Sequence, residues 1–277
     1  MFLRLILACL TPLGSVAVVT VATTSSASTT FDHDYCDYAA LLREHVVNSR
    51  VDYARLEANR AHLDRVVVSL NAVRSSDVQR WGRAERLAFW INAYNVLTLQ
   101  AIVHHYPIEG SWLSRYPRNS IRQIDGVWTE LTWEVAGRRL TLDDIEHRII
   151  RREFAEPRIH FAVNCASVSC PPLAPEPYRA ASLDQQLDDA ARRYLASPLG
   201  LVVDGTTLRV STIFKWYGGD FVARFANDGP ASRSPVERAI YGVVRRYGPR
   251  DAAALATGGR PSIAYLPYDW SLNDVRR

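Results

Sequence analysis

Between residues 87 and 103 the chain carries no charged side chain, inside a pattern that predicts a helix over residues 85–105. Apolar residues fall on every face of that helix, so it is expected to be buried nearly all round. Asn92, Asn95, Thr98 and Gln100 interrupt it, which argues for a core helix rather than a membrane span. Each amide buried there needs a hydrogen-bond partner, or it costs about 1–3 kcal/mol. Helical periodicity also predicts amphipathic helices over 37–47, 61–73, 183–195 and 235–247, while residues 213–225 carry the aromatic cluster Phe214, Trp216, Tyr217 and Phe221. Thr141-Leu-Asp-Asp144 reads as the N-cap of a helix over 142–154. Short extended runs punctuate the helices: 51–53, a hairpin from 128–133 to 137–140, a buried strand over 159–163, a hairpin around Asp204-Gly205, and a last strand over 262–266. The alternation predicts an α+β fold, a mixed single domain with a buried central helix packed on a small, mainly antiparallel sheet. Its expected extent is residues 29–277.

The first 28 residues have a different character. Arg4 precedes a hydrophobic run that continues to Val21, followed by the small residues Ala22, Ser25, Ser26, Ala27 and Ser28. This pattern predicts a secretory signal peptide and hence an exported protein, periplasmic or extracellular after cleavage. The alternative is an uncleaved anchor, in which case that segment is the only membrane contact. Without the leader, three of the four cysteines remain, namely Cys36, Cys165 and Cys170, so in a compartment that permits disulfides at least one thiol stays unpaired. The net charge of +4 comes from 33 basic residues of which only Lys215 is a lysine. Acidic residues are interspersed among them, and no basic stripe with interleaved aromatics appears, so nucleic acid is not an expected partner.

Candidate chemistry concentrates in Arg158-Ile-His-Phe-Ala-Val-Asn-Cys165-Ala-Ser-Val-Ser-Cys170-Pro-Pro172, where an apolar run opens into a polar loop closed by two prolines. A thiol mechanism would use Cys165 or Cys170 as nucleophile and His160 or His147 as base, with Asn164, Ser167 and Ser169 available to an oxyanion. On a regular strand, however, His160 and Cys165 face opposite sides. The structural alternative is a Cys165–Cys170 disulfide. Asn92, Asn95 and Glu146 are candidate ligand-binding groups near the imidazoles, and Lys215, Trp216 and Tyr217 are a candidate binding rim. Asn92 and His160 are expected to share one pocket with the cysteine-bearing turn at its mouth. Neither CxxC nor a paired-histidine spacing is present, and no GxGxxG, Walker, HExxH or GxSxG motif occurs. No metal or cofactor is therefore expected.

Four segments, taken in order, resemble the family known as domain of unknown function 547: Phe89-Trp-Ile-Asn-Ala-Tyr-Asn95, Thr141-Leu-Asp-Asp-Ile-Glu-His147, the Arg158 to Pro172 run, and Tyr265-Leu-Pro-Tyr-Asp-Trp-Ser-Leu-Asn273. Val51-Asp-Tyr53 and Ile213-Phe-Lys-Trp-Tyr217 resemble it too, so the resemblance extends from about Phe31 to Asn273. It implies a domain found in bacteria and plants, there sometimes following coiled-coil segments, and carries no activity with it. Two functional expectations follow from the residues. The first is a binding or interaction module for an envelope peptide, glycan or protein. The second is a cysteine-dependent hydrolase or acyltransferase with a papain-like or transglutaminase-like arrangement.

Overall fold

A computed structural model describes residues 31–258 and 261–276. The leader reading falls outside these residues. The described residues form one compact unit of mixed α+β architecture. In chain order its helices are α1 (Cys36–His45), α2 (Tyr53–Ala58), α3 (Ala61–Asn71), α4 (Ser75–Arg80), α5 (Arg83–His104), α6 (Leu183–Leu195), α7 (Ile213–Phe225), α8 (Pro235–Tyr247) and α9 (Arg250–Gly258). The sheets are small. Antiparallel pairs join β1 (Val46–Val47) to β2 (Arg50–Val51) and β3 (Trp133–Val135) to β4 (Arg138–Leu140). In the third sheet β5 (Leu201–Asp204) pairs antiparallel with β6 (Thr207–Val210), and β7 (Ser262–Tyr265) joins β6 in parallel after the crossover through α7, α8 and α9. Among the described residues no helix is long and apolar enough to cross a membrane.

Helix α5 is the axis of the larger core. Every residue from Leu87 to Val103 is buried, and the helix packs against α2, α3 and the helix Asp144–Phe154. The four polar groups within it are all satisfied. Asn92 exchanges two bonds with the Tyr178 backbone (2.8 and 2.9 Å), Asn95 does the same with Ala162 and Asn164 (3.0 and 2.8 Å), Thr98 donates to Tyr94, and Gln100 accepts from the Trp133 indole. A second apolar cluster gathers Phe161, Tyr194, Phe214, Phe221 and the inner faces of α6 to α8. Ile159 belongs to the first cluster and Phe161 to the second, so the segment carrying His160 lies on the seam between them.

Two elements differ from expectation. Residues Pro157–Phe161 form a 3-10 helix rather than a strand: Pro157 presets the first turn, and the Glu156 carboxylate caps it by accepting the Arg158 N–H at 3.1 Å. The run is buried on all sides, and a short, wholly buried apolar run does not distinguish strand from helix. The helix begun at Thr141 has the expected reciprocal cap, Thr141 Oγ1 accepting from the Asp144 N–H and Asp144 accepting from the Thr141 N–H. Beyond it, however, Asp144–Phe154 is wound with π-type hydrogen bonding, a form that is usually local and associated with sites.

Candidate active site

The loop after the 3-10 helix is shaped by Asn164. Its Oδ1 accepts the Ala166 N–H at 2.9 Å and its Nδ2 donates to the Pro171 carbonyl at 2.7 Å, an Asx turn that holds Ala166 in the left-handed region at φ 58°. The Asn164 N–H is in turn held by Asn95 of α5. This turn brings Cys165 and Cys170 together, with their sulfurs 2.9 Å apart. The expected bridge is not formed, since a disulfide bond measures about 2.05 Å, and both are free thiols, Cys165 partly exposed and Cys170 buried. The C-terminal segment then clamps the loop from outside: Val168 N–H donates to Ser271, Asn273 N–H to Ala166, and Asp269 N–H to the Ser169 hydroxyl.

Above the thiols opens a cavity of about 550 Å³. Cys165, Cys170, His160, His147, Glu146, Trp216 and Tyr217 all line it, so the bend of the chain removes the opposite-facing geometry a strand would impose. His160 is stacked on Tyr217 with ring centres 4.2 Å apart, and its Nε2 donates to Asp220 Oδ2 at 2.7 Å. Arg151 grips the same carboxylate through two nitrogens at 2.7 and 2.9 Å. Burial works to raise the Asp220 carboxyl, but the hydrogen bonds from His160 and Arg151 outweigh it and hold the group well below the usual carboxylate range. A carboxylate on Nε2 leaves Nδ1 as the basic nitrogen, and Nδ1 makes no hydrogen bond among the described residues. His147 sits beside this unit: Arg151 donates to its Nδ1 at 3.0 Å, which places the ring proton on Nε2, 3.5 Å from Asp143.

Cys165 is surrounded by donors. The Cys170 thiol lies 2.9 Å away, and the hydroxyls of Ser167 and Tyr268 are each 3.3 Å from the sulfur. The Cys170 thiol, seconded by those two hydroxyls, pulls the Cys165 thiol down to about 7 against the opposing effect of burial. Burial pushes Cys170 the other way, and the charge on Cys165 adds to it. No hydrogen bond joins either sulfur to an imidazole among the described residues. One wall is aromatic, with Trp216, Tyr268 and Trp270 packed at centroid distances of 4.6 to 5.7 Å. Arg122 lies over Tyr116, Trp128 and Trp270, all of them lining residues.

The remaining expected residues support the cavity from outside. Asn92 does not line the pocket with His160: the Tyr178 backbone takes both of its amide atoms, and it lines a small second cavity beside Tyr35 instead. Asn95, Asn164 and Ser169 are spent on backbone bonds that build the loop, and Ser167 donates to the Tyr268 hydroxyl at 3.0 Å. Lys215 is exposed on α7 and does not line the cavity. Arg122, Asp143 and Arg151 are among the residues the sequence reading missed, as are Asp220 and Tyr268 in the roles they take here. Of these, only Arg151 had a legible signal, standing one helical turn after His147.

The fold and cavity together define an α+β domain with a thiol pair and a carboxylate-held imidazole in one pocket. Residues 78–195 match the model of the family described as "Protein of unknown function, DUF547". That segment contains α5, His147, His160 and both thiols, while Tyr217, Asp220 and Tyr268 come from beyond it. No curated protein and no solved structure matches the chain.

Proposed function

We propose that this cavity is the active site of a cysteine-dependent hydrolase or acyltransferase, with Cys165 as nucleophile and His160 as general acid and base. The observation that carries the reading is that a thiol lowered to about 7 and an imidazole oriented by Asp220 line the same cavity. His160 Nδ1 takes the Cys165 proton as the sulfur attacks an acyl carbon, gives that proton to the leaving group, and then takes a proton from the water or amine that accepts the acyl group from the thioester, returning it to the Cys165 sulfur. Asn164, Ser167 and Ser169, expected as oxyanion donors, are engaged elsewhere, which leaves the Tyr268 hydroxyl to take that part.

A second reading, a binding module for an envelope peptide, glycan or protein, is favoured by a separate observation. The wall of Trp216, Tyr268 and Trp270 with Arg122 across it offers flat apolar faces and a guanidinium, the surfaces that sugar rings and peptide planes stack on. In either reading the protein acts outside the cytoplasm after loss of its leader.

The two are separated with p-nitrophenyl acetate. An enzyme releases a burst of one equivalent of nitrophenolate and carries an acetyl group on Cys165 by mass spectrometry, and Cys165→Ser abolishes both. Tryptophan quenching by a short oligosaccharide or peptide, unchanged in Cys165→Ser and without any burst in the wild type, would establish the binding module and overturn the enzyme.

A further inference from the structure

The two thiols are arranged for more than nucleophilic attack. Their sulfurs already lie 2.9 Å apart across the Asx turn, so a bond between them needs only a small approach toward about 2.05 Å. They are also unequal. Both line the cavity, but Cys165 is partly exposed whereas Cys170 is buried, 6% exposed. The Cys165 backbone N–H points at the Cys170 sulfur from 3.0 Å, a donor aimed at any charge that develops there.

We propose that Cys165 and Cys170 form a reversible thiol–disulfide site that is oxidised by a low-molecular-weight disulfide, Cys165 exchanging first and Cys170 resolving. In the first step the Cys165 thiolate attacks one sulfur of the small disulfide, an S–S bond forms as the original one breaks, and one thiolate leaves and takes up a proton. In the second, Cys170 gives up its proton, attacks the Cys165 sulfur and expels the second thiolate. The net change is one protein dithiol oxidised to a bridge and one small disulfide reduced to two thiols. The lowered Cys165 thiol and the raised Cys170 thiol agree with this order. On the reading of Cys165 as the acyl-transfer nucleophile, closing the bridge also withdraws that nucleophile, so the cavity is active only when reduced.

Trypsin cleaves after Arg158 and Arg179, giving one fragment, 159–179, that holds both thiols and excludes Cys36. After incubation of the reduced chain with oxidised glutathione, this fragment is expected two hydrogens lighter and free of glutathione. Cys170→Ser is expected to trap one glutathione on Cys165, and Cys170→Ala serves as a second variant should the serine unsettle the turn. Cys165→Ser is expected to react at Cys170 at least about tenfold more slowly. A fragment that stays reduced, a wild-type chain that keeps the adduct without closing, or equal reactivity at Cys170 would overturn the proposal. These masses need no activity: a normal bridge with no nitrophenolate burst in the reduced chain removes the acyl-transfer reading alone.

Discussion

His160 Nε2 lies 2.7 Å from Asp220 Oδ2, which ties the 3-10 turn beneath the cavity to helix α7. Because Arg151 fixes the other side of that carboxylate, the imidazole is held in one orientation, with Nδ1 left without a hydrogen bond among the described residues. Asp220→Asn keeps the shape and removes the charge that favours this tautomer. Under the proposed mechanism it is expected to slow acylation by p-nitrophenyl acetate about a hundredfold or more, with alkylation of Cys165 by iodoacetamide little changed. Equal burst rates in the two proteins would remove His160 from the chemistry.

The same carboxylate makes stability depend on pH. Its unfolded value is near 3.8 and its folded value is lower, so the folded state gains from ionised Asp220 above about pH 4 and loses that gain as the pH falls through the folded value. Urea midpoints measured from pH 7 down to pH 2 are expected to differ most between wild type and Asp220→Asn at the upper end and to converge below pH 4. A constant gap over the range would show that Arg151 and His160 do not hold the group.

For Cys165, iodoacetamide reactivity followed against pH is expected to show a midpoint near 7, since the thiolate is the reacting form. Ser167→Ala and Tyr268→Phe each delete a hydroxyl 3.3 Å from the sulfur and are expected to move the midpoint upward. Cys170→Ser moves it too, because the nearest donor changes. A midpoint at the ordinary thiol value in the wild type would mean the three donors do not act on Cys165.

Arg158, buried beneath the site, binds Glu156, Asp184 and Asp188 at 2.5 to 2.7 Å. Glu156 also caps the turn that carries His160. Arg158→Met leaves Glu156 and Asp188, both largely buried, without their main counter-charge, and is expected to cost about 3–5 kcal/mol in urea denaturation. A loss below about 1 kcal/mol would show that Arg224, Arg192 and Arg246, which also reach these carboxylates, suffice without it.

What was legible in the sequence had a local cause. The uncharged run of 87–103 could only be a buried helix, and the Thr141 cap and the Asp204-Gly205 turn are read from neighbouring residues. Seven of the candidate residues line one cavity. The 3-10 turn at His160 was not legible, because burial on all sides erases the periodicity that separates strand from helix. Nor were the aromatic wall and the Asp220 contact: Trp270 and Asp220 reach Arg122 and His160 from segments far along the chain, and no local pattern records such a meeting.

Asn92 and Asn95 offer the sharpest test of that distinction, being alike in the sequence and different in the fold. Both are buried in α5 and both exchange two bonds with backbone, so alanine at either orphans a buried N–H and a carbonyl and is expected to cost about 1–3 kcal/mol. Asn92 holds the Tyr178 backbone, outside the lining of the cavity that holds the thiols, whereas Asn95 holds Ala162 and Asn164, the two ends of the bend that leads into Cys165. Asn95→Ala is therefore expected to raise the midpoint of Cys165 alkylation, since the turn that sets Cys170, Ser167 and Tyr268 around the sulfur loosens. Asn92→Ala is expected to lower the urea midpoint by a similar amount and leave the alkylation profile where it was. If both variants shift that profile equally, the loop is sensitive to stability alone, and the positioning assigned to Asn95 is wrong.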